Sequence, residues 1–484
     1  MRGRQYPRGR RRGYRSTRAG VSGEEGVMLG LRRHIHFVGI GGAGMSPLAE
    51  LVRGMGHHVT GSDERCGAAT RKLESLGIAV QYGHTPDLCR DADLLVYSSA
   101  VRIANPERAF AARRGIPTIR RAELLGDLMR SFQSIGVAGT HGKTTTSSMI
   151  AHILHTAGRN PSAIIGGSPV GTEAPPPRPV GSLLVVEADE YDRSFLSMYP
   201  TLAVVTNIDT DHLDCYRDLD DIKGAFVQYA ESVPFYGAVF ACIDDPGVRD
   251  IAANIHAVMI TYGTDDGATY RIAEVNHGRD KTRFEVFQNK ERFGEFEIPM
   301  AGMHNVRNAA AAVAVAAATG IDPATTGGAL ARFPGVKRRF EFRGEARGVR
   351  IYDDYAHHPR EIAATLDDAA YRGFGRIIAI FQPHLYSRTR SFLEEFANSL
   401  AHADMVIVTG IYRSREDVDH TVNAAEIVGR IRETGHTNAH FIEDKSTVVD
   451  WLAPHLRSGD AVLIMGAGDI DELGSPLLER IADG

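Results

Sequence analysis

Cysteine is scarce in this 484-residue chain, and Cys66, Cys89, Cys215 and Cys242 stand far apart without any C-x-x-C pair. That spacing argues against a disulfide framework or a cysteine zinc site and fits a reducing, cytoplasmic setting. Long apolar runs are missing too: none approaches the roughly 18 residues that a membrane span needs. Acidic residues are absent from the first twenty positions, which hold eight arginines, so a net charge of -5 leaves -13 on the remainder. Residues 1–33 begin with this Arg- and Gly-rich segment, which has too little aliphatic content to fold alone and lacks the apolar core of a secretory signal. A nucleic-acid arm, a disordered tail and an over-long reading frame whose real start is Met28 all remain open there, and no function is assigned to it.

What is present is ordinary for a soluble globular protein, with 43% hydrophobic and 24% charged residues. The length exceeds what one core supports, so about two to four domains are expected. An α/β fold of three domains follows from the motifs taken in order. A Rossmann-like N-terminal domain spans 34–133, a central P-loop ATPase domain 134–333, and a C-terminal Rossmann-like α/β domain 334–484.

The first domain opens on an apolar strand at 34–38 that runs into Gly39-Ile40-Gly41-Gly42-Ala43-Gly44 and an apolar helix pattern reaching about Met55. Strand, glycine turn and helix start together make a diphosphate cradle. A second strand ends at Asp63, where such folds set an acid against a ribose or base. A later strand ends in Ser98-Ser99, at the carboxyl edge where α/β sheets bind ligands; either serine could instead cap the next helix. Arg120 and Arg121 precede a helix and face either the ligand's phosphates or solvent. On this domain alone, an NAD-dependent oxidoreductase is a fair rival.

The stretch around which the rest is organised is Gly139-Thr140-His141-Gly142-Lys143-Thr144-Thr145 after the apolar run 135–138. A buried strand entering a glycine turn and a helix leaves backbone N–H groups free for phosphate. Lys143 is placed for the β- and γ-phosphates, and the Thr144 hydroxyl for Mg²⁺. The usual glycine five residues before the Gly-Lys pair is Val137 here, so Gly139 makes the turn alone. A strand at 183–186 ends in Glu187-Ala188-Asp189-Glu190, and P-loop folds hold Mg²⁺ with an acid at that point; Glu187 is the first choice and Glu190 the second. Asp209, Asp211 and His212 follow another strand and suggest a metal or phosphoryl site, with a capped polar loop as the alternative. The helix beginning near His304 and Asn305 is alanine-rich and therefore expected to be closely packed, with Asn305 and Asn308 on one face.

A break at Phe333-Pro334-Gly335 leads through Lys337-Arg338-Arg339 into the last domain. Its strands end in polar loops: Asp353-Asp354-Tyr355-Ala356-His357-His358-Pro359, Gln382-Pro383-His384-Leu385-Tyr386-Ser387-Arg388-Thr389, and Gly466-Ala467-Gly468-Asp469. One edge of this sheet is thus a binding edge as well.

Taken jointly and in this order, these motifs resemble the Mur ligases of peptidoglycan synthesis from about residue 35 to residue 470. The resemblance implies that the first domain holds UDP-N-acetylmuramate through Gly41, Gly42, Gly44, Asp63, Ser98 and Ser99. It implies ATP against Gly139, Thr140, His141, Gly142, Lys143, Thr144 and Thr145, with Asn305, Arg338 and Asp354 completing that site. Thr144 and Glu187 are implied as ligands of one Mg²⁺ and His212 of a second metal, an atypical Mg²⁺ ligand that also suits Mn²⁺. Lys143, Glu187 and His212 are the implied catalytic groups. His357, His384 and Arg388 are implied on the amino-acid side, where Arg388 can grip a carboxylate bidentately.

Sister ligases that add later amino acids carry a lysine, used in carbamylated form, near the position of Phe226. Its absence here points to the branch that adds L-alanine. A recycling ligase that attaches an intact tripeptide to the same sugar nucleotide is the nearer alternative, although the 382–388 stretch resembles the alanine-adding enzymes. A non-catalytic P-loop switch protein would leave the acid and histidine clusters unexplained. Monomer and homodimer both remain open.

Overall fold

In the computed structural model the described residues are 34–167, 169–170, 182–211, 215–278, 280–414 and 416–483. The Arg-rich segment, the proline-rich stretch 171–181 and His212 lie outside them. Three sheets organise the chain. The first has five parallel strands in the spatial order Ala79–Tyr82, His58–Asp63, His34–Val38, Leu94–Tyr97, Thr118–Arg120. From the central strand the chain moves outward to one side and then returns to the other, so a crevice opens at the carboxyl ends of His34–Val38 and Leu94–Tyr97. The glycine loop and Ser98 meet there: a Cβ on Gly39 would lie 3.7 Å from the Ser98 Cβ.

The second sheet has nine strands, with Gln133–Ala138 between Leu202–Val205 and Leu183–Glu187. Its parallel part is apolar on both faces because helices cover both, as in Leu184, Val185 and Val186, all fully buried. The far edge was not anticipated from sequence: Tyr270–His277, Thr282–Gln288 and Glu291–Ile298 pair antiparallel. Their signature is a period of two, with Thr282, Phe284 and Val286 buried between more exposed neighbours. The alanine-rich helix Met303–Ala318 is buried from Ala309 through Val315 on every face, and its small side chains let it pack against the P-loop helix Lys143–Thr156.

The third sheet runs Glu341–Ala346, Val349–Asp354, Asp460–Met465, Arg376–Phe381, Met405–Thr409, Ala439–Ile442, parallel except for its first strand. Among the described residues no helix is long and apolar enough to cross a membrane.

Two junctions place the three sheets around a common centre. The helix Arg121–Met129 presses on the backbone at 197, so closely that a Cβ on Gly126 would sit 1.8 Å from the Ser197 carbonyl oxygen. On the other side Arg388 donates to Asp211 at 2.9 Å, and Arg360 pairs with Asp209 at 2.8 Å. These two ion pairs tie the third domain to the loops that follow Leu202–Val205.

Candidate active site

The P-loop conformation is dictated by its two glycines. Gly139 has φ of 142°, and a Cβ there would lie 1.9 Å from the Thr206 Oγ1; Gly142 has φ of 83°, and its Cβ would lie 2.6 Å from the Asn308 Oδ1. A side chain at either position would strain the backbone and collide with its neighbour. Neutral groups from the end of the adjacent strand brace the loop. Asn207 accepts from the His141 N–H at 2.8 Å, and Thr206 Oγ1 donates to the His141 carbonyl at 2.6 Å.

Lys143 folds back over this loop, donating to the Gly139 carbonyl at 2.8 Å and to Glu190 at 2.8 and 3.0 Å. Burial would lower its pKa, but the carboxylates of Glu190 and Asp189 hold it above the ordinary lysine value, so the ammonium stays charged. Next to it in the chain, the Thr144 hydroxyl donates to Glu187 Oε1 at 2.9 Å. The two acids are thereby sorted: Glu187 stands at the threonine, Glu190 at the lysine. A hydroxyl and a carboxylate oxygen side by side form the hard oxygen set that suits Mg²⁺.

A cavity of about 300 Å³ opens between the P-loop and the third domain, lined by Gly142, Thr144, Asn305, Arg339, Asp354 and Glu361 among others. Asn305 is in its wall, with its amide donating to the Ala301 carbonyl at 2.8 Å. Asp354 accepts from the Phe340 and Ala356 N–H groups at 2.7 and 2.8 Å, and burial raises its carboxyl to about 6. Arg338, expected on the ATP side, is turned away: it donates to the carbonyls of Gly466 at 2.6 Å and Gly468 at 3.1 Å. Arg339 reaches the cavity in its stead. Positive φ at Arg338 (58°) and Phe340 (50°) twists the backbone and decides which of two adjacent arginines faces which way.

Sequence reasoning also missed what His141 does. Its ring stands between Asp209 at 3.6 Å and Glu361 of the third domain at 3.5 Å. Burial opposes charging, but the two carboxylates raise its pKa to about 9, so it is an imidazolium at neutral pH. The neighbouring His358, buried and facing that cation, is pushed down to about 4 and stays neutral. No local signal could have found this bridge, because its partners are about 70 and 220 residues away in sequence and in different domains.

His357, His384 and Arg388 are brought together in a second cavity of about 490 Å³, which Asp189, Tyr191 and Asp211 close from the middle domain. The His357 and His384 rings are 5.9 Å apart, and Arg388 approaches His384 Nδ1 at 3.5 Å. Burial and the Arg388 charge lower the His357 pKa, with Glu361 opposing. Phe226, near which the resemblance implies a lysine in sister ligases, is fully buried with its ring 5.2 Å from that of Phe195 and belongs to the core.

In the first domain, Gly41 donates its N–H to Asp63 Oδ2 at 2.8 Å, and the Ser62 carbonyl accepts from Gly39 and Ile40 at 2.8 and 3.0 Å. Gly41, Gly42, Gly44, Asp63 and Ser98 thus gather at the crevice, with Ser99 beside them in the chain.

Comparison with known proteins matches this architecture along nearly its whole length. Residues 34–133 match the Mur ligase family catalytic domain, 137–316 the Mur ligase middle domain, and 338–468 the glutamate ligase domain of Mur ligases. The chain belongs to the Mur ligase family. It is 46% identical over 456 residues to the UDP-N-acetylmuramate--L-alanine ligase of Salinibacter ruber, covering 94% of this chain and 96% of that protein. To the enzyme of the same name from Myxococcus xanthus it is 43% identical, covering 92% and 95%. The crystal structure of a UDP-N-acetylmuramate-alanine ligase from Thermotoga maritima superposes with a TM-score of 0.78 at 30% identity, covering 93% and 99%. A murein peptide ligase from Psychrobacter arcticus gives 0.66 at 26% identity, covering 93% and 99%. Like other Mur ligases, this one is an ATP-dependent enzyme of peptidoglycan precursor synthesis, and its P-loop is the element that such a reaction requires.

Proposed function

We propose that this Mur ligase joins L-alanine to the lactyl carboxylate of UDP-N-acetylmuramate, with ATP converted to ADP and phosphate. The observation that carries the reading is the convergence of two cavities on one interdomain seam. The phosphate loop lines one of them, the cluster of His357, His384 and Arg388 lines the other, and Asp211 of the middle domain is bonded to Arg388 across the seam. The higher TM-score and identity to an alanine ligase than to a murein peptide ligase favour a single amino acid over an intact tripeptide.

The chemistry follows from what must be activated. A carboxylate is a poor electrophile, so one of its oxygens attacks the γ-phosphorus and ADP leaves, giving an acyl phosphate. The neutral amine of alanine attacks the acyl carbon, the C–O bond to phosphate breaks, and the amine proton is lost. Lys143, poised on Glu190, supplies positive charge to the transferring phosphoryl group. Thr144 and Glu187 would hold Mg²⁺, which neutralises phosphate charge when bound; His212 is the further ligand proposed, with Mn²⁺ as an alternative ion. Arg388 would exchange Asp211 for the alanine carboxylate, a bidentate pairing that suits the guanidinium. Closure of the seam between the domains would exclude water from an intermediate that hydrolyses readily.

The test is phosphate release from ATP and Mg²⁺ with UDP-N-acetylmuramate and L-alanine, omitting each component in turn. Release that needs every component, with a new amide seen by mass, is the expected result. Turnover without the sugar nucleotide would return the chain to plain P-loop ATPase chemistry.

A further inference from the structure

A further cavity, of about 700 Å³, lies wholly within the third domain at the carboxyl ends of Arg376–Phe381, Met405–Thr409 and Ala439–Ile442, and the proposed reaction gives it no part. It shares a wall with the cavity that holds His357, His384 and Arg388. Along three strips of chain, near neighbours face opposite sides of that wall. Leu385, Ser414 and Ala467 line the inner, amino-acid cavity, while Tyr386, Tyr412 and Asp469 line the outer one. Two of the inner residues, Ser414 and Ala467, are small, and Gly468 follows Ala467, so the bulk in this part of the wall is the Tyr412 ring. A Cβ on Gly468 would lie 2.6 Å from Tyr412 Cγ, so a glycine there is what lets the ring close in. The ring is also nearly parallel to the His384 imidazole, at 16° with centroids 5.8 Å apart. Its backbone is pinned on both sides: the Tyr412 N–H donates to the Pro383 carbonyl at 2.8 Å, and the Tyr412 carbonyl accepts from the Leu385 N–H at 3.0 Å.

We infer that Tyr412 is the residue that limits the amino acid to a small side chain, by closing the amino-acid cavity against the larger one behind it. This rests on the proposed function for the identity of the substrate. An amino acid with its carboxylate on Arg388 and its amine turned to the phosphate loop has its side chain left to point back into the third domain, where the wall stands. A methyl group needs only the space in front of Ser414 and Ala467. A longer chain meets a ring that its backbone bonds and its packing hold in place, and overfilling a fixed site is costly. Beyond the ring the space is polar and carries an excess of negative charge. Asp419, Glu443, Asp444 and Asp469 face it against Arg413 and Lys445, and Lys445 is already paired with Asp469 at 2.8 Å. A side chain that passed the wall would therefore be favoured by an amine at its tip.

The experiment is amide formation by the full-length chain with ATP, Mg²⁺ and UDP-N-acetylmuramate, offered L-alanine, L-lysine or L-glutamate, for wild type, Tyr412→Ala and Tyr412→Phe, with thermal melts run in parallel. In Tyr412→Ala the ratio of kcat/KM for L-lysine to that for L-alanine is expected to rise by about 10- to 100-fold, with a smaller rise for L-glutamate. In Tyr412→Phe, which keeps the ring, both ratios should stay within about threefold of wild type. An equal loss for every amino acid in Tyr412→Ala would make Tyr412 a support for His384 alone and overturn the inference. So would a gain for L-glutamate as large as that for L-lysine, because the side chain would then not be entering the acidic cavity. Should Tyr412→Ala fail to unfold cooperatively, Tyr412→Leu carries the same comparison with less space removed. If wild type forms no amide with L-alanine, the proposed function itself fails; if it does and the selectivity is indifferent to Tyr412, only this inference does.

Discussion

Two glycine loops of nearly the same local design sit at the carboxyl ends of two different sheets in this enzyme, and they are held in opposite ways. The loop at 39–44 is braced wholly from within its own domain, by the Asp63 carboxylate on the Gly41 N–H and by the Ser62 carbonyl. The loop at 139–144 is braced at home by Thr206 and Asn207 and by the ion pairs of Lys143 with Glu190 and His141 with Asp209, and it has a further charged tie to another domain through His141 and Glu361. The first loop offers backbone donors and no side chain of its own that could act on phosphate. The second carries Lys143 and Thr144, each already set against an acid. A loop that only has to hold a diphosphate can be fixed once the domain folds. A loop that has to transfer phosphate gains from being coupled to the closing of the third domain, because that closure removes water.

The largest break in the comparison comes from removing the group that only the second loop has. Lys143→Ala is expected to lower kcat/KM by about 10³-fold, since it removes preorganised charge from the transferring phosphoryl group and leaves Glu190 facing it unopposed. UDP binding in the first domain should be unaffected. Equal loss of UDP affinity would mean that the two loops are one cooperative unit. The measurement is initial rates together with UDP titration on the same preparation.

These loops also show what sequence can and cannot carry. Both were legible because each needs glycine at fixed offsets after an apolar strand, and that requirement is local. The strand ends at Glu187, Asp63 and Asp354 were legible for the same reason: an apolar run that stops at an acid marks a sheet edge. Arg338 against Arg339 was not, because neighbouring residues share every local property and only the twist at 338–340 separates them. The tie from His141 to Glu361 was not either, since it exists only once two domains meet. The antiparallel strands at 270–298 were written in a period-two pattern but lay outside the motifs and so drew no reading.

A smaller effect sharpens the contrast through pH. The His141 pKa is raised from an ordinary 6.5 to about 9, so the stabilisation it lends to the seam is fully present below 6.5 and is lost as pH rises through about 9. Asp209 and Glu361 are ionised across that range, His358 is neutral throughout it, and Arg360 keeps its pair with Asp209, so the imidazolium is the group that changes. In solution scattering the substrate-bound enzyme should expand between about pH 7 and pH 9.5, and His141→Gln should be pH-independent over that interval with kcat lowered by about tenfold. An expansion that persists in the variant would assign it to other groups at the seam.

The smallest effect is expected at Asp63, and its direction decides what the first loop's acid is for. Asp63→Ala leaves the Gly41 N–H without its acceptor and should weaken UDP binding by about tenfold through loss of loop order. Asp63→Asn keeps an oxygen that can accept the same bond and removes a negative charge from beside the place where a dianion binds, so its affinity should stay within about threefold of wild type. If Asp63→Asn instead loosens UDP as much as Asp63→Ala does, the charge itself is being used, as it would be against a ribose hydroxyl. In that case the first loop, like the second, has an acid that serves the ligand, and the difference between the two loops lies only in Lys143, Thr144 and the tie to the third domain.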